Sequence, residues 1–244
     1  MSRKSQVKQN PTAPEKTSHL SLIEEQESHP LKWRKIDVKF RTESQEELWK
    51  ILEKNEITLV TGPAGTGKTY ISIMKAIQLL SRDETPYKKI VIIKPAIEAD
   101  EKLGSLPGTM EEKLDPYLYS YTYLFEKVLG PRKMKKLLDQ GIVKIMALAY
   151  LRGVNIDDSI VLMDEAQNMS KKSIKTLLTR IGENSKYFIL GDVEQSDRFS
   201  KLEEMGVYHA MKKLEGVDRI GTFSFKPEDI VRNPIIKKIL ERLD

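Results

Sequence analysis

Eight residues constrain this chain more than any other feature: Gly62-Pro63-Ala64-Gly65-Thr66-Gly67-Lys68-Thr69, preceded by the apolar run Ile57-Thr58-Leu59-Val60-Thr61 and followed by the helix-like stretch Tyr70 to Leu80. This is the pattern of a phosphate-binding loop. Its glycines let successive backbone N–H groups turn inward around a polyphosphate, at the start of a helix whose unpaired donors favour an anion. Lys68 offers a compact positive charge to β- and γ-phosphates, and the Thr69 hydroxyl is a ligand for Mg²⁺. Strand, glycine-rich turn and helix in that order demand an α/β architecture, so the loop sets a fold class together with a ligand class.

The rest of the chain is consistent with that class. Short apolar runs at Ile57–Thr61, Ile90–Lys94, Val143–Ala147, Ile160–Asp164, Tyr187–Asp192 and Ile220–Phe225 alternate with longer periodic segments. Most are continuous Val/Ile/Leu runs, as expected of strands buried on both faces, which predicts a parallel sheet sandwiched between helices. Residues 1 to about 30 are rich in Ser, Gln, Lys, Glu and Pro, with only Leu20, Leu22 and Ile23 as an apolar cluster. Such a composition buries too little surface to offset chain entropy. A mobile tail over 1–35 and one folded unit over 36–244 are therefore expected.

Composition excludes several classes. The 244 residues are 39% hydrophobic and 32% charged, ordinary for a globular protein. No apolar run approaches the roughly 20 residues that span a bilayer, and no apolar leader opens the chain, so a cytoplasmic protein is expected. There is no cysteine, and His19, His29 and His209 are scattered, which disfavours a zinc site. The formal net charge of +5 is concentrated in the tail: residues 1 to 35 carry seven Lys/Arg against four Asp/Glu, leaving 34 against 32 for the remainder. Any nucleic-acid surface must then come from local patches, since bulk charge does not demand one.

A second group of residues carries reaction chemistry. Ile160-Val161-Leu162-Met163 runs into Asp164-Glu165. Beside a phosphate loop, the first acid of such a pair holds the Mg²⁺ water shell and the second polarises an attacking water. A small-molecule kinase must exclude water, so the glutamate favours hydrolysis over phosphoryl transfer to a metabolite. The next strand leads into Gly191-Asp192-Val193-Glu194-Gln195, and an amide placed there is a candidate sensor of the γ-phosphate.

Taken together, these segments resemble the PhoH-like ATPases, whose single RecA-like core is related to the first motor domain of superfamily 1 helicases. The resemblance runs from about Val38 to Leu243. It rests on the phosphate loop, Lys94-Pro95-Ala96-Ile97-Glu98-Ala99, Lys102-Leu103-Gly104-Ser105-Leu106-Pro107-Gly108 and Glu112-Lys113-Leu114-Asp115-Pro116-Tyr117-Leu118. It continues through Leu148 to Gly153, Asp164-Glu165-Ala166-Gln167-Asn168, Leu178-Thr179-Arg180-Ile181-Gly182, the Gly191 to Gln195 segment and Val231-Arg232-Asn233-Pro234. Lys94 stands where the family more often has Arg, Asp100 where Gly is usual, and Asn233 where His is usual. Lysine keeps the charge but not a bidentate contact. No appended PIN ribonuclease domain is expected, and nuclease activity is not implied.

The resemblance implies an ATP- and Mg²⁺-dependent ATPase and gives roles to residues that chemistry alone leaves open. Gln45 is either a solvated helix-start glutamine or, as in similar helicases, a contact to the adenine edge. Arg180 falls in an expected helix over Ser170 to Ile181, with Ser170 and Gly182 as caps and Ile174, Leu177, Leu178 and Ile181 as the apolar face. It lies about 110° from the centre of that face, and is either a solvated arginine or an arginine finger for a neighbouring subunit. Arg232 has the same two readings. A helicase takes its transition-state arginine from a second motor domain, which this chain is too short to hold, so a homo-oligomer is expected, a hexamer by resemblance.

Two features bear on single-stranded RNA or DNA as a partner. Tyr117, Tyr119, Tyr121 and Tyr123 could stack on bases, but Tyr121, Leu124 and Phe125 also continue an apolar stripe from Tyr117, which favours packing. Lys127, Arg132, Lys133, Lys135 and Lys136 form a basic cluster that is either a solvated face or a phosphate contact. Two functions remain in competition, a nucleic-acid-coupled helicase or translocase and a nucleotide-state switch acting on an assembly.

Overall fold

The computed structural model describes residues 38–95, 121–151, 153–231 and 242. The expected tail over 1–35, the segments holding Asp100, Lys102, Asp115, Tyr117 and Tyr119, and the pair Arg232 and Asn233 lie outside the described residues.

Six strands form one sheet: β1 Ile57–Thr61, β2 Lys89–Lys94, β3 Val143–Ala147, β4 Ser159–Met163, β5 Lys186–Gly191 and β6 Ile220–Ser224. Their order is β3-β2-β4-β5-β1-β6, and every pairing is parallel. All six expected strands are present, within one residue at each end. The central strands β1, β4 and β5 are buried throughout, whereas edge strands β3 and β6 are half-exposed.

The alternation of side chains along each strand divides the core in two. One face presents Val60, Ile90, Ile92, Ile160, Leu162, Phe188 and Leu190 to α1 (Glu43–Lys54), α2 (Lys68–Leu80) and α3 (Pro131–Asp139). The other presents Leu59, Val91, Ile93, Val161, Met163, Tyr187 and Ile189 to α4 (Lys171–Leu178) and α5 (Gly206–Leu214). Both faces being covered explains why the strands read as unbroken apolar runs. The chain thus has the α/β, RecA-like sandwich that the sequence predicts.

Parallel pairing sends all six chain exits to one edge, and helices return the chain to the other. Two devices brace the return. Lys186, buried at the start of β5, donates to the Leu52 carbonyl (3.1 Å), the Glu53 carbonyl (2.8 Å) and the Asn55 carbonyl, closing the C-terminal end of α1. On the outer side, Glu53 accepts from Lys75 (2.8 Å) and from Arg82 (2.8 and 2.7 Å), while Lys75 Nζ sits 3.8 Å from the Trp49 ring centroid.

The Arg82 hydrogen bond, aided by Lys75 against the opposing effect of burial, lowers the Glu53 pKa to about 2. A folded pKa below the ordinary value contributes stability above pH 4.5 that is lost as pH falls toward 2. Glu53→Gln should therefore lower the melting temperature at neutral pH, with the gap to the parent closing between pH 4.5 and 2. Thermal melts over that range check it; a gap that stays constant in acid would remove Glu53 from the account.

One helix is shorter than expected. Ser170 caps α4 by accepting from the Ser173 N–H (3.1 Å), but the helix ends at Leu178 rather than Ile181. Ile181 leaves the helix to form a parallel bridge with Ile156, and the Arg180 carbonyl accepts from the Ile156 N–H (3.0 Å) and the Tyr187 hydroxyl (2.9 Å). Tertiary partners outcompete one more turn. Gly182 is accordingly not a helix cap; its N–H donates to the Ile156 carbonyl (3.2 Å).

Candidate functional site

The edge where the strands end collects the phosphate loop after β1, Lys94 closing β2, Asp164 after β4 and Asp192 after β5. The loop is held in shape before any ligand is considered. Gly62, at φ 140°, lies so close to Phe225 that an added Cβ would come within 2.5 Å of its Cβ, and Gly67 holds φ 90° at the start of α2. Only glycine suits both positions. Thr66 donates to the Pro63 carbonyl (3.1 Å), and Lys68 Nζ donates to the carbonyls of Pro63 (2.8 Å) and Gly62. The ammonium is therefore already centred on the loop.

Gln45 is part of this scaffold. It is only 3% exposed, its Nε2 donates to the Thr66 carbonyl (2.9 Å), and its Oε1 accepts from the Arg41 N–H (2.9 Å). The solvated reading of Gln45 is overturned. Its amide ties α1 to the phosphate loop, and one Nε2 hydrogen and one Oε1 lone pair remain for a ligand edge.

Across the site, Thr69 Oγ1 donates to Asp164 Oδ2 (2.8 Å), while Asp164 Oδ1 accepts from the Glu165 N–H (2.9 Å). Two hard oxygen donors on separate elements, within a hydrogen bond of each other, fit a Mg²⁺ that keeps most of its water. Ala64 and Gly65 complete the loop beside them, half-buried.

Glu165 occupies a left-handed backbone conformation (φ 58°), uncommon outside glycine and asparagine, directly after β4. The residue is exposed, yet its carboxylate loses enough water to raise its pKa; the Asp164 charge adds to this, and the Gln167 hydrogen bond, Lys94 and Lys68 oppose it. A carboxylate with raised proton affinity, beside a phosphate loop, is suited to general-base work.

Sequence reasoning passed over Gln167. It is 1% exposed and occupies the junction of β4 and β5: Nε2 donates to Glu165 Oε2 (2.7 Å) and to the Gln195 carbonyl (3.2 Å), while Oε1 accepts from the Asp192 N–H (3.0 Å). Asn168 repeats the theme, its Oδ1 accepting from the Asp197 N–H (3.0 Å). The candidate base and the candidate sensor loop are thus joined by one buried amide. The Gln195 side chain itself is exposed, and its backbone N–H donates to the Asp192 carbonyl (3.1 Å).

Gln167→Leu keeps the volume but leaves the Asp192 N–H without its acceptor. That should cost about 1–3 kcal/mol of stability and release Glu165 from its orienting donor. A melting curve superimposable on the parent's would show that the amide holds nothing together.

Arg180 does not join this site. It lies by the start of β5, at the opposite edge of the sheet from the phosphate loop, a separation of about 17–20 Å along a strand of this length. It is half-buried rather than solvated, and its buried Nε has no hydrogen-bond partner among the described residues. Any catalytic use of Arg180 requires another chain. Of the tyrosines described, Tyr121 is core and Tyr123 is 50% exposed; Lys127, Arg132, Lys135 and Lys136 are exposed and Lys133 is half-buried.

A parallel sheet with a lysine-centred phosphate loop after β1 and a Thr69–Asp164 pair facing it defines a nucleotide-binding protein of the P-loop NTPase class. The family model for "PhoH-like protein" matches residues 37–244, and the chain belongs to that family. The "PhoH-like protein" of Bacillus subtilis (strain 168) is 40% identical over 224 residues, covering 92% of this chain and 69% of the relative. That of Synechocystis sp. is 35% identical over 205 residues, covering 84% and 61%. "Protein PhoH" of Escherichia coli (strain K12) is 34% identical over 202 residues, covering 82% and 56%. A chain from the solved structure "Structural Basis for DNA Unwinding at Forked dsDNA by two coordinating Pif1 helicases" aligns with 85% of this chain and 48% of its own at a TM-score of 0.34 and 15% identity, too slight a likeness to bear on function. Among the described residues, no helix is long and apolar enough to cross a membrane.

Proposed function

We propose that this protein hydrolyses ATP with Mg²⁺ and couples turnover to single-stranded RNA or DNA, as a helicase- or translocase-like motor of the cytoplasm. The observation that carries the reading is the buried Gln167 amide, which joins the water-side carboxylate of Glu165 to the Gln195 loop.

In this mechanism the backbone N–H groups of residues 64–69 and the Lys68 ammonium hold the β- and γ-phosphates. Thr69 and Asp164 would hold the ion, which would supply neutralisation of the phosphate charge. Glu165 accepts the proton of the water that attacks the γ-phosphorus, as the bond to the β–γ bridging oxygen breaks and leaves ADP and phosphate. Gln195, exposed on the loop after β5, is the sensor of γ-phosphate loss, and Gln167, hydrogen-bonded to both Glu165 and the Gln195 carbonyl, couples the two loops. Gln45 orients the adenine with the donor and acceptor it has left.

The exposed Lys127, Arg132, Lys135 and Lys136 supply a phosphate-contacting patch for the strand. Arg180, remote from its own site, and Arg232 are assigned as fingers to a neighbouring subunit's site in a ring, a hexamer by family resemblance. Steady-state ATP hydrolysis with and without single-stranded RNA and DNA, at two salt concentrations, tests the coupling. Salt-sensitive stimulation supports a nucleic-acid motor. Turnover indifferent to every polynucleotide favours a nucleotide-state switch built on the same catalytic residues.

A further inference from the structure

Residues 121–129 are helical and lay Tyr121, Phe125 and Leu129 into the core on the α2 face. Two of the three are apolar, as the position demands. Tyr121 is not: it is 2% exposed, and among the described residues its hydroxyl has no hydrogen-bond partner. Withdrawing a hydroxyl from water without compensation is costly, and phenylalanine would fill the same space without that penalty. A tyrosine here needs a use for its oxygen.

The surroundings of that oxygen supply one. The Tyr121 ring lies 5.0 Å from Lys94 Nζ. Lys94 ends β2, and the β2–β4 register pairs Ile93 with Met163, so the next step along both strands sets Lys94 beside Asp164. Burial first, then the Asp164 charge, a hydrogen-bonding contact with the Asp164 side chain and the Glu165 charge raise the Tyr121 pKa well above its ordinary value, which sets the neutral hydroxyl against Asp164. Asp164 now accepts one hydrogen bond on each oxygen, from Thr69 and from the Glu165 N–H. A carboxylate offers about four lone-pair sites, so it can accept another.

We propose that Tyr121 is a positioning residue of the nucleotide site, its buried hydroxyl donating to the Asp164 carboxylate when magnesium and nucleotide are bound and fixing the orientation in which Asp164 meets the ion. This rests on the reading of Thr69 and Asp164 as the Mg²⁺ ligands. Because the contact with Asp164 falls short of a full hydrogen bond in the free protein and closes to one in the complex, Tyr121 favours the complex more than it stabilises the free chain. A purely structural tyrosine has the opposite signature.

The test is a set of thermal melts of the full chain, parent and Tyr121→Phe, without ligand, with ADP plus EDTA, and with ADP across a Mg²⁺ titration. Phenylalanine preserves the ring and its packing, so the variant folds. Expected are an unliganded melting temperature equal to or above the parent's, an unchanged response to ADP in EDTA, and a Mg²⁺ midpoint raised about 10-fold. An unchanged Mg²⁺ midpoint overturns the proposal, as does a lower unliganded melting temperature with an unaltered midpoint. If the parent itself shows no Mg²⁺-dependent response to ADP, the ion-site reading fails and takes this proposal with it.

Discussion

Lys68→Ala should weaken ATP binding by about 10- to 100-fold, the worth of a charge-assisted hydrogen bond of roughly 1.5–3 kcal/mol, and reduce turnover by at least about 10²–10³-fold. The two effects differ because the ammonium acts most strongly on the charge that develops as the γ-phosphoryl leaves. Lys68 also donates to the Gly62 and Pro63 carbonyls, so alanine could disturb the loop itself. The Gln45–Thr66 and Thr66–Pro63 hydrogen bonds hold the loop independently of Lys68, and the unliganded melting temperature should fall by only a few degrees. Binding measured by isothermal titration, beside melts of the free protein, separates these causes. An alanine variant that binds ATP as the parent does would mean that the phosphates lie elsewhere.

Glu165→Gln is expected to leave ATP binding within about threefold of the parent and lower turnover by about 10²–10⁴-fold, the contribution of a positioned general base. Glutamine preserves size and accepts the Gln167 hydrogen bond through its carbonyl oxygen, so geometry survives and basicity does not. Loss of hydration, with Asp164 beside it, raises the Glu165 pKa above its ordinary value of 4.5. A base must be ionised to work, so the parent's rate should decline in acid at a higher pH than an ordinary glutamate would give. The residual rate of the variant should lack that limb. Parental turnover in Glu165→Gln would assign the water to another group.

The strands were legible because each carries its own information. Val, Ile and Leu buried on both faces leave no polar positions to blur a run such as Ile160-Val161-Leu162-Met163. The phosphate loop was legible for a similar local reason: glycine spacing, lysine and hydroxyl lie within eight residues, and the positive φ angles at Gly62, Gly65 and Gly67 follow from sequence. The end of α4 was not, because the partners that draw Arg180 and Ile181 away from it come from Ile156 and Tyr187, distant in sequence. Gln167 was overlooked for the same reason. Its importance comes from the pairing of β4 with β5, which brings Glu165, Asp192 and Gln195 within reach of one amide. Gln45 shows an intermediate case: the position was singled out, but its present engagement with the Thr66 carbonyl emerges only once α1 packs against the loop. Motifs local in sequence were readable, and the contacts that align them were not.

The Lys68, Thr69, Asp164 and Glu165 constellation is proposed to hydrolyse ATP. Phosphate release by the purified full chain, measured with ATP in Mg²⁺ and in EDTA and with Glu165→Gln as the blank, addresses it most directly. Release should require Mg²⁺ and exceed the Glu165→Gln level by about 10²-fold or more. Release equal in parent and variant, or unaffected by EDTA, would contradict it.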